Sequence, residues 1–369
     1  MKKIIINLFF LIFFLFSALI LILSTFGIET NKFNNLIAQK VNQTNIVELN
    51  LKTIKFKLDL KELSLFLETF NPKINYKDIS IPVQNVKVYI NFIPLIKSDF
   101  KIKKTIISLK ELDIIQLNKL SAIIKPSNIK SILNNKIKKG KLISEIEIFF
   151  TDEGSLKDFI AKGKIIGLET EIFDGLKLTK TNLGFFADKE DILFKNIFGF
   201  IGETKISDGD IKLNLENGIK INSNFNSKFN YDENSFKKFP KVFNKINFIN
   251  NIKKVKADFN NNVSIELDNT YKIKDYSYKI SGKLEKGEIK LIKNIKNNFI
   301  KEEIKEIYFS DLQVSSLFKP QSINFKGKGN YSFNKINFYK IDLENIFKND
   351  QIKVNLNFDF VNNFKLNLI

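Results

Sequence analysis

Long segments of the chain alternate between apolar and polar residues. In residues 219–231, "IKINSNFNSKFNY", the odd positions are Ile, Ser, Phe or Tyr and the even positions are Lys or Asn. Side chains on a strand point to opposite faces with a period of two, so this segment predicts a strand with one apolar and one polar side. The apolar side either packs inside a core or forms a surface that holds another molecule.

The same alternation recurs along most of the chain and predicts a mainly β protein. The clearest further examples are "IKFKLDL" (54–60), "VKVYINF" (86–92), "FIAKGKI" (159–165), "TKISDGDIKLNL" (204–215), "VKADF" (255–259), "VSIEL" (263–267), "YSYKISGKL" (276–284), "INFKGKGNYSF" (323–333) and "IKVNLNFDF" (352–360). The residues predicted to line a shared apolar surface are Phe159, Ile165, Ile219, Ile221, Phe225, Phe229, Tyr231, Tyr276, Tyr278, Ile280 and Leu284.

Helical spacing interrupts the strand pattern at a few places. An amphipathic helix is predicted over 31–41, and two short helices divided by Pro126 and Ser127 are predicted within 114–137. Further helices are predicted from Asn234 or Ser235 onward and over 293–305. The chain is therefore expected to carry a few short helices beside its strands.

The first residues predict a membrane anchor. No residue from 4 to 28 is charged, and this apolar run is long enough to cross a bilayer as a helix. A signal peptide has a shorter apolar region and a small-residue cleavage site, which does not follow here. Lys2 and Lys3 precede the run, so we expect the N-terminus to be cytoplasmic and the rest to lie outside the cytoplasm. No later apolar run approaches this length.

These patterns suggest four segments. Residues 1–30 are the anchor, 31–140 a β-rich region with a helical interlude, 141–233 a sheet segment, and 234–369 a second segment of helix and sheet. The last residues, "FKLNLI", still have a strand pattern with no closing turn. We expect either a truncated chain or a strand edge that is unpaired or held by a partner.

The composition excludes several chemistries. The chain has no His, Cys or Trp, and all 59 basic side chains are lysine. Without His or Cys there is no side chain with an ordinary pKa near neutrality, no thiolate nucleophile and no soft metal ligand. We therefore expect no cofactor, no metal site and no enzymatic activity. The remaining enzymatic alternative is a carboxylate hydrolase, in which two of the 40 acidic residues would converge.

The net charge of +19 has two interpretations. It could attract a polyanion, but a genome biased toward AT-rich codons would produce the same abundance of Lys, Asn, Ile and Phe. The lysines are spread along the chain, and the absence of arginine disfavours base-specific contacts. We therefore expect no nucleic-acid partner.

Short polar motifs are predicted to be structural. The glycines in "KGK" (162–164) and "KGKG" (326–329) lack the spacing of a phosphate-binding loop and are expected in turns or strands. The acidic "DKED" (188–191) and "SDGD" (207–210) are expected to be solvated hairpin turns. Two pairs of similar segments, "DGDIKL" (208–213) with "KGEIKL" (286–291) and "AKGKI" (161–165) with "FKGKG" (325–329), suggest a repeated strand unit.

An N-terminal anchor reading "LILSTFGIETNKFNNLI", followed by alternating strands with "GKI" and "DGDIKL" segments, resembles the AsmA-like family of bacterial envelope proteins, whose larger members include TamB-type and YhdP-type proteins. The resemblance implies a single-pass inner-membrane protein of a Gram-negative bacterium. Its periplasmic part would be an elongated, curved antiparallel β-sheet forming an apolar groove for phospholipid acyl chains, with a role in outer-membrane biogenesis. The family pattern is one of strand layout, so it carries over no individual site residue.

Two alternatives to the groove remain open. In a compact sandwich, Phe225, Phe229 and Tyr231 would be sealed by a second sheet. In a membrane-anchored scaffold, free strand edges would bind other envelope proteins by strand addition.

Overall fold

Strands account for most of the protein, as the alternation predicts. The computed structural model describes residues 2–31, 34, 47–62, 64–76, 79–90, 101–116, 136–173, 175–216, 218–237, 251–268, 270, 272–296, 303–348 and 351–359. Among them, eighteen strands belong to one antiparallel sheet, and three short strands form a second sheet. The prediction of a mainly β chain with one long antiparallel sheet is confirmed. The curvature and groove shape of that sheet stay a prediction.

An apolar helix opens the chain. Helix α1 spans Lys2–Thr25, and its residues 3–25 are long and apolar enough to cross a membrane, with none of that window buried. This confirms the expected N-terminal helix at the level of length and hydropathy.

The chain divides into two units. Unit 1 comprises residues 1–131, 141–164 and 186–189, and unit 2 comprises 132–140, 165–185 and 190–369. The four segments expected from the sequence stay a prediction.

The strands that begin in unit 1 are mostly short. They are β1 Ile28–Thr30, β2 Val47–Asn50, β3 Ile54–Asp59, β4 Ser64–Phe70, β5 Lys73–Tyr76, β6 Ile79–Ile81, β7 Val83–Ile90, β8 Ile102–Leu109 and β9 Leu112–Asp113. Two longer strands, β10 Ile137–Phe150 and β11 Leu156–Phe173, contain residues of both units. Strands β1, β3, β4, β7, β8 and β10 pair as antiparallel neighbours in that order.

One face of these first strands is apolar and the other is charged. Ile54, Leu67 and Ile90 form a buried cluster on the apolar face. On the opposite face Glu68 is only 4% exposed. Its carboxylate pairs with Lys57 Nζ at 2.8 Å and accepts a hydrogen bond from Asn85 Nδ2 at 2.7 Å.

A second buried group lies on the same charged face. The hydroxyl of Tyr89 donates to Asp59 Oδ2 at 3.0 Å, and Lys104, which is paired with Glu62, lies 4.6 Å from the centre of the Tyr89 ring. Burial, together with the Asp59 carboxylate, raises the pKa of Tyr89. Lysine is therefore the cation of buried pairs in this arginine-free chain, because each ammonium has a carboxylate beside it.

Unit 2 contains a meander of longer strands, and only the first of them, β12, ends with residues of unit 1. They are β12 Leu176–Ala187, β13 Asp191–Ile201, β14 Thr204–Asn214, β15 Ile219–Asp232, β16 Ile252–Leu267, β17 Ile273–Ile295, β18 Ile304–Lys319, β19 Ser322–Ser332, β20 Tyr339–Lys348 and β21 Gln351–Phe358. From β13 to β21 each strand pairs antiparallel with the next one along the chain. A short helix, α2 Glu233–Lys237, follows β15.

The predicted helices have different outcomes. Helix α2 confirms the predicted helical start near Asn234 and Ser235. The helix predicted over 293–305 is wrong for its described ends, because 293–295 belong to β17 and 304–305 to β18, where Ile295 pairs with Ile304. Cross-strand pairing outweighs the local helical spacing there. The predicted helix over 31–41 and most of 114–137 lie outside the described residues.

The predictions for the two acidic motifs also have different outcomes. "DKED" connects β12 to β13, as predicted for a hairpin turn. "SDGD" is not a turn: it lies inside β14, where the pairing with β15 shifts register between Ser207 and Asp210 and Asp208 has a positive φ of 51°. A β-bulge accommodates the turn-type residues within the strand. Its echo "KGEIKL" lies beside another register shift, in β17. The glycines of "KGK" and "KGKG" lie in β11 and β19.

Candidate functional site

The pairing register places most of the apolar residues of β13 to β21 on one side of unit 2. Across β15 and β16, Ile221 pairs with Ile265 and Phe229 with Ala257. Residues paired across an antiparallel ladder point to the same face, so the match of odd positions with odd positions extends the apolar side from strand to strand. We call this side the apolar face. Its members from β15 to β18 include Ile219, Ile221, Phe225, Phe229, Tyr231, Val255, Ala257, Phe259, Val263, Ile265, Tyr276, Tyr278, Ile280, Leu284, Phe309, Leu312, Val314 and Phe318.

The structure brings most of the predicted lining residues together. Ile265 pairs with both Ile221 and Tyr276, and Ala257 pairs with both Phe229 and Leu284. The other predicted residues of β15 and β17 are aligned in the same way. Phe159 and Ile165 lie on β11, outside the strands whose register defines the apolar face.

The apolar face is partly open. Ile219, Ile221, Phe225 and Phe229 are half-buried, and Tyr231 is buried. Elsewhere on the face the exposure is larger: Tyr276 is 39% exposed and Leu356, on β21, is 47% exposed. Apolar surface that retains this exposure is available to an apolar ligand.

Glycines occupy alternate strands in one row of the apolar face. One cross-strand row runs Phe259, Gly282, Val314, Gly327, Leu343, so large residues alternate with glycine. A methyl group on Gly282 would lie 2.2 Å from Asp258 O and 2.9 Å from Phe259 Cα. Glycine at this position therefore allows the neighbouring strand to approach closely.

Aromatic rings gather at one end of the face. Phe229 stacks on Tyr231 with ring centres 5.4 Å apart and lies 5.9 Å from Phe259. On β19, Tyr331 contacts the rings of Tyr339 and Phe358 at 6.1 and 6.2 Å. The register joins these groups, because Tyr231 pairs with Val255, Val255 with Gly287, Gly287 with Phe309 and Phe309 with Tyr331.

A polar group that sequence reasoning missed lies in the middle of the apolar face. Asn261 is 2% exposed, and its Nδ2 donates to Ser227 Oγ at 2.9 Å and to the carbonyl oxygen of Phe259 at 3.1 Å. Its Oδ1 accepts from the Tyr278 hydroxyl at 2.7 Å. The sequence could have identified Asn261, because position 261 falls on the apolar side of the alternating segment "VKADFNNNVSIEL". The amide is satisfied by protein partners, which is what allows it to be buried.

Replacing Tyr278 by phenylalanine should lower the free energy of unfolding by about 1 kcal/mol, because Asn261 Oδ1 loses its donor. Tyr276→Phe is the matched control: Tyr276 lies on the same strand and face, and its hydroxyl has no protein partner among the described residues. That variant should change stability by less than roughly 0.5 kcal/mol. Denaturant unfolding of both variants measures the difference, and equal losses would refute a role for the Tyr278 to Asn261 bond.

The opposite side of unit 2 is mainly polar, and many of its polar side chains are paired. Lys326 pairs with Glu344 at 2.8 Å, and Asn260 Nδ2 donates to Asn226 Oδ1 at 3.1 Å. An open depression of about 400 Å³ on this side is lined by Asn222, Asn224, Ser264, Ser277 and Lys279, together with the apolar side chains of Leu193 and Leu317. Its amides, hydroxyls and ammonium can form hydrogen bonds with a polar group.

The described residues contain no group of three or more His, Cys, Asp or Glu arranged to hold a metal ion. The chemistry of the apolar face is that of apolar contact, with aliphatic and aromatic side chains and a satisfied amide. No protein-family model, curated protein or solved structure matches this chain.

Proposed function

We propose that this chain is a membrane-anchored protein of the bacterial envelope whose apolar face holds phospholipid acyl chains on their way between the inner and outer membranes. Helix α1 is the anchor, with Lys2 and Lys3 on the cytoplasmic side and the sheet in the periplasm. The resemblance of the strand layout to the AsmA-like family supports the same assignment.

The continuity of the apolar face across successive strands carries the proposal. Strands β13 to β21 follow one another as sheet neighbours, and at a spacing of roughly 4.8 Å they extend this face over roughly 38 Å. The acyl region of one membrane leaflet is about 15 Å thick, half of the hydrocarbon core. One acyl chain would therefore occupy only part of the face, and a lipid could move along it.

The binding energy would come from removing the acyl chain and the partly exposed side chains from water. Each methylene group buried in this way contributes about 0.8 kcal/mol. The row of Phe259, Gly282 and Val314 contributes aromatic and aliphatic contacts to this surface. Passage along such a face needs no nucleophile, metal or titratable group.

Photo-crosslinking of acyl chains tests the proposal. The full chain in native membranes is exposed to a phospholipid carrying a photoactivatable group near the end of one acyl chain, and crosslinked peptides are mapped by mass spectrometry. We expect crosslinks in β15 to β21 on apolar-face residues, in addition to those on α1. Mapping by peptide separates lipid on the sheet from lipid that merely surrounds the anchor.

Charged substitutions on the two sides of the sheet provide the matched comparison. Ile323 pairs with Phe347 on the apolar face, whereas Ile346 lies on β20 on the opposite side. The double variant Ile323→Asp with Leu356→Asp should reduce sheet crosslinking several-fold, and Ile346→Asp should leave it unchanged. Both altered apolar positions are more than a third exposed, so the new carboxylates can be hydrated without unfolding the sheet.

Crosslinks confined to α1 would contradict the lipid role. In that case the scaffold alternative, in which envelope proteins add strands to the sheet, would be favoured. Equal crosslinking in the Ile323 and Ile346 variants would also contradict it, because the apolar face would then not be the binding surface.

A further inference from the structure

Helix α1 is joined to the sheet with almost no intervening chain. Only Phe26 and Gly27 separate α1 from β1, and both of their backbone amides donate to Ile22 O, at 3.0 and 2.9 Å. Gly27 has a positive φ of 72°, the conformation that ends many helices. The helix therefore enters the sheet through a capped turn instead of a flexible linker.

The junction leaves no room for a side chain. A Cβ on Gly27 would lie 2.7 Å from Lys57 Cγ and 2.9 Å from Phe56 O. Strand β1 continues along the neighbouring residues, with Ile28 paired to Phe56. The direction in which α1 leaves the sheet is thus set by β3.

Strand directions decide which turns lie at the helix exit. Strand β1 runs away from α1 and is antiparallel to β3, so β3 ends beside α1, at the turn that contains Leu60. Strands β4, β7, β8 and β10 continue the antiparallel order. Strand β10 therefore also ends at this side, where residues 151–155 turn into Leu156 at the start of β11.

Exposed apolar side chains lie on this end of the sheet. Leu60 is 52% exposed, Leu156 is 57% exposed, and Phe26 at the junction is 75% exposed. Charged residues stand beside them, with Glu62 paired to Lys103 at 3.5 Å. Apolar side chains with flanking lysines are typical of segments that lie in a membrane interface.

We infer that the end of the unit 1 sheet at which α1 exits rests on the lipid bilayer, with Phe26, Leu60 and Leu156 in its interfacial layer. The inference rests on the anchoring part of the proposed function, because α1 brings this end to the bilayer. Exposure alone does not single it out: Phe70, at the opposite end of β4, is 45% exposed. The short junction and the strand order distinguish the two ends.

The absence of cysteine from the chain makes a direct test possible. Single-cysteine variants Leu60→Cys, Leu156→Cys and Phe70→Cys of the full chain are labelled with an environment-sensitive fluorophore and reconstituted in vesicles of phosphatidylcholine and phosphatidylglycerol. A fourth variant, Leu15→Cys, reports insertion of α1. Quenching is measured with a spin-labelled lipid and with aqueous iodide.

The probes at Leu60 and Leu156 should be quenched several-fold more by the spin-labelled lipid than the probe at Phe70, and several-fold less by iodide. The probe at Leu15 could report lipid while the probes at Leu60 and Leu156 behave like the probe at Phe70. That result would refute contact between the sheet and the bilayer, and it would leave membrane anchoring by α1 intact. If the Leu15 probe is in water, the anchoring part of the proposed function is refuted, and this inference with it. All labelled sheet positions are solvent-exposed, so circular dichroism should show an unchanged strand content.

Discussion

Replacing Gly282 by alanine should lower the free energy of unfolding by about 3 kcal/mol or more, because the added methyl group would meet the backbone of β16 and not a movable side chain. The nearest atom, Asp258 O, would be 2.2 Å from the new Cβ, and Gly282 has a φ of 155°. Thermal or denaturant unfolding followed by circular dichroism measures the loss. Hydrogen exchange should show faster opening of the amides of β16 and β17.

Gly327→Ala is the control for this variant. Gly327 lies in the same cross-strand row on the apolar face, but a Cβ there would be 3.4 Å from the side chains of Leu312 and Phe325, an ordinary contact. We expect a change within roughly 1 kcal/mol, and the loss of backbone freedom in the unfolded chain makes a small gain equally acceptable. Similar losses at both positions would mean that the close approach at Gly282 does not stabilise the sheet.

Replacing Glu68 by glutamine should destabilise unit 1 by about 3 kcal/mol, because removing one partner of a buried ion pair leaves the other without compensation. Lys57 and Lys87 would then face a neutral amide in a site where the carboxylate is 4% exposed. Glu29→Gln is the control, since Glu29 pairs with Lys55 at 3.0 Å on the neighbouring strands but its side chain is 61% exposed. That exposed pair should contribute less than about 1 kcal/mol.

The pH dependence provides a second measurement of the same pair. Burial by itself would raise the pKa of Glu68, but Lys57, Asn85 and Lys87 outweigh it and hold the pKa below the ordinary value of 4.5. A carboxyl whose folded pKa is depressed stabilises the fold above its unfolded pKa and loses that contribution as the pH falls through the folded pKa. The wild type should therefore lose stability below about pH 4.5 more steeply than Glu68→Gln. Parallel curves would show that Glu68 does not carry the effect.

The alternation of residue types predicted the strands and their two faces correctly. In β15 every odd position from Ile219 to Tyr231 is half-buried or buried, and every even position except Asn226 is exposed. This follows from the period of two, which is a property of a single strand. Helix α1 was predicted for a similar reason, since its length and hydropathy are also local properties.

Features that depend on a neighbouring strand were not predicted. "SDGD" has the composition of a turn, but pairing with β13 and β15 keeps it inside β14 as a bulge. The helical spacing of 293–305 was overridden by the pairing of β17 with β18. In each case the cross-strand contacts stabilise the strand by more than the local preference of the residues for a turn or a helix. That preference is roughly a few tenths of a kcal/mol per residue.

The apolar face also combines properties of single strands with properties that depend on the neighbouring strand. The sequence alone determined that Ile221, Phe229 and Tyr276 lie on the apolar sides of their strands, and that this chain has no side chain for thiol or imidazole chemistry. Only the tertiary structure decided that these sides join into one apolar face, that Gly282 lets β16 approach β17, and that Asn261 is buried there with Tyr278 as a partner. The reason is physical: the direction of a side chain is set by its own backbone, whereas the register that aligns one strand with the next depends on contacts between residues far apart in the chain.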